Sequence, residues 1–247
     1  MIDTELFQLA VTAALRIPSS GIGTLSEKKV HAALKYYLQP DNEKHEIKMH
    51  GFVCDALDGD GVFEIQTRGF YRLNKKLDSL LKECTVTVVY PIISEKTLYL
   101  TDALSGETTV RKSPKKMSAY SVFDELYSIR RHLTSGNLKL RLITIGAEEY
   151  RTVKTVTFSR GRKKRLETVS GETVPTSIFS DITLSSAADY AALLPETLND
   201  SFTSADVSVS CRIHRTLAAT MLLILTDLKA VERIGTKGNS YVYKRCI

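Results

Sequence analysis

The sequence predicts an α/β fold, a mixed sheet flanked by helices, followed by a small module of helices and a hairpin. Three observations carry this. Residues 51–81, GFVCDALDGDGVFEIQTRGFYRLNKKLDSLL, read as strand, tight turn, strand and helix, because Asp-Gly between two β-rich runs is a strong hairpin signal. Cys84 to Ile93 is then a β-branched run of the kind buried in a sheet, so the helix before it is a crossover and the sheet is mixed. After Pro195 the pattern changes to two helices and a hairpin, which places a boundary between residues 1–194 and 195–247.

Composition bounds the function. The chain has 247 residues, 43% of them hydrophobic and 25% charged, as ordinary globular proteins do. Its net charge of +6 favours an anionic partner such as nucleic acid. There is no apolar run long enough to predict a membrane-spanning helix, and the N-terminus lacks the basic start of a secretory signal. Cys54, Cys84, Cys211 and Cys246 are scattered with no CxxC pair, which argues against structural zinc and for a reducing compartment.

Taken in order, Asp3 to Arg16 is a short helix with Leu6, Leu9, Ala10 and Ala13 on its apolar face. Pro18 to Gly23 breaks it. Thr24 to Leu38 is the next helix, opened by the capping box Thr24-Leu-Ser-Glu27, with Val30, His31, Leu34 and Leu38 roughly on one face. His45 to Met49 is a strand, and Gly51 turns it into the strand carrying Asp55. Gly59, Asp60 and Gly61 form the turn to the strand carrying Glu64 and Gln66, whose side chains share one face by strand alternation. In the following helix Phe70, Leu73, Leu77, Leu80 and Leu81 form the apolar stripe, with Arg72, Lys75, Lys76 and Lys82 on the polar side.

Beyond the buried run at Cys84–Ile93, Lys96 to Thr101 reads as a separate strand. Ser113-Pro-Lys-Lys116 is a basic segment that is either a minor-groove contact or a solvated loop. Tyr120 to Leu133 is a helix and Leu138 to Ile145 an alternating strand. Residues 152–168 form a hairpin whose tip carries Arg160, Arg162, Lys163 and Lys164. Like charges gathered there repel unless an anion lies against them. Val174 to Leu184 is a further apolar stretch, and Ser185 to Leu194 a short helix. In the last module Thr203 caps a helix with Asp206 at its third position. Ser210 to Ile213 turn, His214 to Lys229 is a longer helix, and Val231–Ile234 and Ser240–Tyr243 are strands joined by Gly235–Asn239.

Asp55 and Glu64 on partnered strands, with the amide oxygen of Gln66, form a donor set suited to a hard divalent cation such as Mg²⁺. The plain alternative is an ordinary turn beside a solvated face. Asp55…Glu64-Ile65-Gln66, preceded and followed by helices, resembles the PD-(D/E)xK, or restriction-endonuclease-like, nucleases. It departs from them at Cys54, where Pro is usual, and at Gln66, where Lys is usual. The resemblance implies a Mg²⁺- or Mn²⁺-dependent DNA hydrolase in which Asp55, Glu64 and Gln66 are catalytic. Glu27, Asp55 and Glu64 would bind metal, Glu27 being otherwise read as the helix cap. Arg68 and Arg72 would meet phosphate.

Residues 195–247 resemble a winged helix-turn-helix. That implies DNA contacts from His214, Arg215 and Thr216 on the recognition helix and from Lys237 on the wing, or a role in protein association. The segments GTLSEK, EIQTR and SPKK and the tail FTSAD…GTKGNSYVY also resemble a group of uncharacterised bacterial proteins, and this resemblance implies a cytoplasmic setting. The readings left open are an endonuclease and a non-catalytic DNA-binding or regulatory protein on a degenerate nuclease scaffold. A two-fold homodimer would suit a double-strand cutter, although no residue pattern specifies one.

Overall fold

The computed structural model describes residues 2–17, 25–59, 61–157 and 164–246, and only the backbone at 25–28, 155–157, 164–167 and 170. The architecture is mixed α/β. Helices α1 (Thr4–Leu15) and α2 (Leu25–Leu38) precede strands β1 (His45–Met49), β2 (Phe52–Asp58) and β3 (Gly61–Ile65). Next come α3 (Asn74–Leu80), β4 (Val86–Asp102), β5 (Thr108–Lys112), α4 (Val122–Ile129), β6 (Leu138–Thr157), β7 (Lys164–Leu184) and α5 (Ala187–Ala191). The chain ends with β8 (Ser201–Thr203), α6 (Ser204–Cys211), α7 (Arg215–Asp227), β9 (Val231–Lys237) and β10 (Ser240–Arg245). The large sheet has the order β1-β2-β3-β4-β6-β7, with β5 paired to β4; a second sheet has the order β8-β10-β9.

Two compact units form: Met1–His45 with Pro91–Met117 and Ile143–Asp181, and Glu46–Tyr90 with Ser118–Leu142 and Ile182–Ile247. In the first, α1 and α2 pack together. Asp3 caps α1 by accepting from Leu6 N–H at 2.8 Å. The buried stripe of α1 is Phe7, Ala10, Val11 and Ala14, not the stripe read from Leu6 and Leu9. The Phe7 ring, edge-on to Tyr37 at 5.6 Å, sets that rotation. Buried Lys29 of α2 donates to the carbonyls of Ala14, Leu15 and Ile17 at 3.1, 3.3 and 2.6 Å, tying up acceptors at the end of α1, where Ala14 also accepts from Ile17 N–H.

The long strands depart from the sequence reading. Val86–Ile93 and Lys96–Thr101 belong to one strand, β4, which leaves out Cys84 and Thr85 and continues past polar Ser94 and Glu95 into the pairing of Thr97–Thr101 with β5. Strand β6 likewise continues beyond Ile145. Glu149, 4% exposed, is tolerated there because Lys96 and Arg151 bind it at 2.6 and 2.7 Å. Burial opposes its ionisation, yet these partners hold its carboxyl down at about 2.

In the second unit the β2–β3 turn begins at Gly59, with φ +56°, and Gly61 opens β3. Gly61 is required by close approach: a Cβ there would collide with the Thr85 carbonyl, to which Val62 N–H donates at 2.9 Å. Strand β3 is therefore paired antiparallel to β2 and parallel to β4, with all five of its residues buried. The parallel pairing realises the crossover, through a 3₁₀ turn at Phe70–Leu73 and α3. Gly61→Ala is expected to lower unfolding free energy by about 2 kcal/mol in urea titration, the usual cost of overpacking a tight contact. A stability unchanged from the parent would contradict this account of the β3–β4 approach.

Candidate functional site

Strand register brings the first two candidate residues together. Asp58 pairs with Gly61, Leu57 with Val62 and Ala56 with Phe63, so the next step places Asp55 opposite Glu64 on the same face. Asp55 Oδ2 accepts from Ile65 N–H at 2.7 Å, so a side chain takes up a ladder donor and its carboxylate is held against β3. Glu64 sits mid-strand and is only 6% exposed.

A carboxylate at such a position needs a partner, and the partner is Lys76. From the first turn of α3, Lys76 Nζ donates to Glu64 Oε1 and to the Val53 carbonyl, the latter at 2.6 Å. Its side chain is only 13% exposed, so it does not belong to the solvated side of the helix as read from sequence. The helix is aimed by the turn before it. Gly69 takes φ +72°, and Glu125 of α4 accepts from Gly69 and Phe70 N–H at 2.7 and 3.0 Å. Phe70, Leu73, Leu77 and Leu80 then anchor the helix in the core. The signal for Lys76 was available: at about 100° per residue it lies about 40° from Leu80 and 60° from Leu73, on the flank of the apolar stripe.

Burial, reinforced by the Asp55 charge, raises the Glu64 carboxyl from its ordinary 4.5 to about 7, against the opposing pull of Lys76. The buried Cys54 thiol beside it is pushed up to about 12, chiefly by burial and then by Glu64. Gln66 is half-buried just past the end of β3, its N–H donating to Val89 C=O at 2.9 Å. Arg68 and Arg72 are exposed, and Arg72 Nε donates to the Tyr71 hydroxyl at 3.2 Å.

Several candidates lie elsewhere or outside the description. The side chains of Glu27 and Lys164, and residues 160, 162 and 163, are outside the described residues, as is the tip of the basic hairpin. Among the described residues, no group of three or more His, Cys, Asp and Glu side chains is arranged to hold a metal ion. The oxygens of Asp55 and Glu64 nevertheless suit Mg²⁺, which commonly takes one or two carboxylates and completes its shell with water and substrate phosphate.

In the last module α6 and α7 meet at 113° across the three residues Arg212–His214, within the range of helix-turn-helix pairs. The capping box of Thr203 and Asp206 forms as read. His214 is the N-cap of α7 and not its first helical residue. Its Nδ1 lies 2.8 Å from Thr216 Oγ1, so these two exposed residues engage each other. Arg215 Nη2 donates to Ser240 Oγ at 3.0 Å, tying the helix start to the β9–β10 hairpin. Lys237 is exposed at the end of β9; the strand includes Gly235–Lys237, which the sequence reading had assigned to the loop. The strand β8 was missed because three residues are too short to show alternation.

Among the described residues no single helix is long and apolar enough to cross a membrane, although α6 and α7 together pass that test as a bent pair. Residues 28–185 match a family described as a domain of unknown function (DUF8091), and the chain belongs to it. The match contains Asp55, Glu64, Gln66 and Lys76 and ends before β8. An uncharacterized protein of Treponema pallidum (strain Nichols) is 32% identical over 146 residues, 59% of this chain and 58% of that protein. The aligned region thus spans less than two thirds of that relative. No solved structure matches the chain.

The raised Glu64 carboxyl carries a sign. Its folded value of about 7 exceeds the ordinary 4.5, so its contribution to stability is greatest below pH 4.5 and is lost as pH rises to 7. With chelator present, the parent should lose about 3 kcal/mol more than Glu64→Gln between pH 4.5 and 8 in denaturant titrations. Parallel pH profiles for the two proteins would refute the burial argument.

Proposed function

We propose that the chain is a Mg²⁺- or Mn²⁺-dependent deoxyribonuclease that hydrolyses phosphodiester bonds, with residues 195–247 acting as its DNA-binding part. The observation that carries the reading is the meeting of Asp55, Glu64 and Lys76 at one buried spot on β2, β3 and α3. A basic group thus stands beside the acid pair although the Glu-x-Lys position holds Gln66. Lys76 would supply the cationic charge that Gln66 lacks.

Asp55 and Glu64 would hold the cation, which when bound lowers the pKa of water and offsets phosphate charge. Glu64 must then ionise, and Lys76 stabilises that ionised form. Lys76 would then exchange part of its contact with Glu64 for the oxygens of a scissile phosphate. Gln66 would orient the attacking water by hydrogen bonds alone. Exposed Arg68 and Arg72 would meet neighbouring phosphates, as would Arg215 and Lys237 in the last module. The perpendicular α6–α7 pair followed by a hairpin supports this role, as does the β8-β10-β9 sheet order.

A second reading, a DNA-binding protein without catalysis, is favoured by one observation. Lys76 closes on Glu64, and no third protein ligand appears among the described residues. Supercoiled plasmid with Mg²⁺ separates the two. On the nuclease reading the parent nicks the plasmid, and Asp55→Asn, Glu64→Gln and Lys76→Met each lower the rate by at least about 100-fold. Mg²⁺ should also raise the melting temperature of the parent at pH 8 and leave Asp55→Asn unmoved. A parent that neither cleaves nor responds to Mg²⁺ leaves the binding-only reading. Duplex binding by Arg215→Ala/Lys237→Ala should then still show a salt slope reduced by about 2.

A further inference from the structure

We propose that the pocket beneath the Ser113–Lys116 turn is a binding site for a phosphate group. The Ser-Pro-Lys-Lys segment is not a free tail. Ser113 N–H donates to the Lys96 carbonyl at 2.7 Å, Met117 N–H donates to the Ile93 carbonyl at 3.2 Å, and Ser113 Oγ accepts from Lys115 N–H at 3.3 Å. Pro114 restricts the turn further. Held this way, the segment closes over β4 and β5, where Thr97 pairs directly with Lys112.

The pocket so formed is about 70 Å³ and is lined by Glu95, Lys96, Thr97, Lys112, Ser113 and Lys116. Three of its six lining residues are lysines and one is a glutamate; the Lys96 ammonium binds Glu149, itself also bound by Arg151. The formal charge of the lining is positive, and the turn fixes the backbone from which Lys112 and Lys116 project. Like charges held in a concavity raise the local potential and draw an anion.

The lining identifies the anion's chemistry. It holds no aromatic or aliphatic residue, although carbon atoms of these same residues make up much of its wall, so its recognition elements are the polar groups. It offers lysine ammonium donors and the Thr97 hydroxyl, with no guanidinium fork, the donor set by which lysine binds phosphate; the Ser113 hydroxyl is engaged with the Lys115 backbone. Its volume is roughly that of a few waters, which fits one tetrahedral oxyanion and excludes a whole nucleotide. The phosphate would be either the terminal group of a small phosphorylated molecule or one link of a nucleic-acid backbone.

The test uses the full chain and inorganic phosphate, with sodium chloride or acetate at matched ionic strength as reference. Phosphate should raise the melting temperature and bind in calorimetry. Its affinity should fall at least about 10-fold in Lys112→Glu/Lys116→Glu and in the milder Lys112→Gln/Lys116→Gln, since charge-assisted hydrogen bonds are lost. Lys48→Glu/Lys82→Glu makes the same change in net charge at exposed positions elsewhere and should bind phosphate as the parent does. A second arm measures a 20-base-pair duplex. A salt slope lowered by about 2 in the pocket variants assigns the phosphate to nucleic acid; an unchanged slope assigns it to a small molecule. Equal response to phosphate and chloride, or equal loss in the control variant, would overturn the site. Cleavage enters neither arm, so the outcome is independent of the nuclease reading.

Discussion

The second unit depends on an acid where a sheet least tolerates one. Strand β3 is paired on both edges and buried along its length, yet its fourth residue is Glu64. That placement has consequences on three elements. Asp55 must turn its carboxylate to the Ile65 amide, and Lys76 must reach down from α3. The loop between β3 and α3 must hold that helix at a fixed angle, which Gly69 and the Glu125 carboxylate do. Remove the acid and none of these devices has a purpose.

Stability does not explain the arrangement. A buried ion pair seldom repays its desolvation, and an apolar set of equal volume commonly folds as well or better. Here the balance is visible in Glu64 itself, whose carboxyl stays raised to about 7 even with Lys76 in contact. Carboxyls displaced by burial and by a like charge gather where chemistry is done. The contrast with Glu149 is instructive. That acid is equally hidden, but two cations hold it far below the usual range, the signature of a structural knot.

The sequence made the local order legible and the long range illegible. The hairpin around Gly59, the β1 strand, the capping box of Thr203 and the crossover after Gln66 were readable, because each is set by turn chemistry or periodicity within a dozen residues. The long strands, 17 residues in β4 and 20 in β6, were not: Ser94-Glu95 and Gly146 look like breaks, and only pairing with distant partners keeps the chain extended there. At the candidate site, the carboxylates could be paired from alternation alone. Lys76 was hidden because a lysine among Arg72, Lys75 and Lys82 reads as part of a solvated face. Only its angular distance from Leu73 and Leu80 distinguishes it. Lys29, buried under the end of α1, was missed for the same reason.

On the proposed reading the cation comes from the helix and not from the strand, and this changes what the site depends on. A lysine two residues after Glu64 on β3 would be placed by the strand itself. Lys76 is placed by a turn, a 3₁₀ segment and an interaction with α4, twelve residues further along. Its position therefore depends on Glu125 and on the packing of Leu73, Leu77 and Leu80. The helix α4 that supplies Glu125 is followed by Arg130, which pairs with Asp227 at the end of α7 at 3.6 Å. The element that orients the basic group thus also meets the helix assigned to DNA on the proposed reading. On that reading α4 supports both, its Glu125 carboxylate holding the turn before Lys76 and the residue after the helix, Arg130, meeting the end of α7.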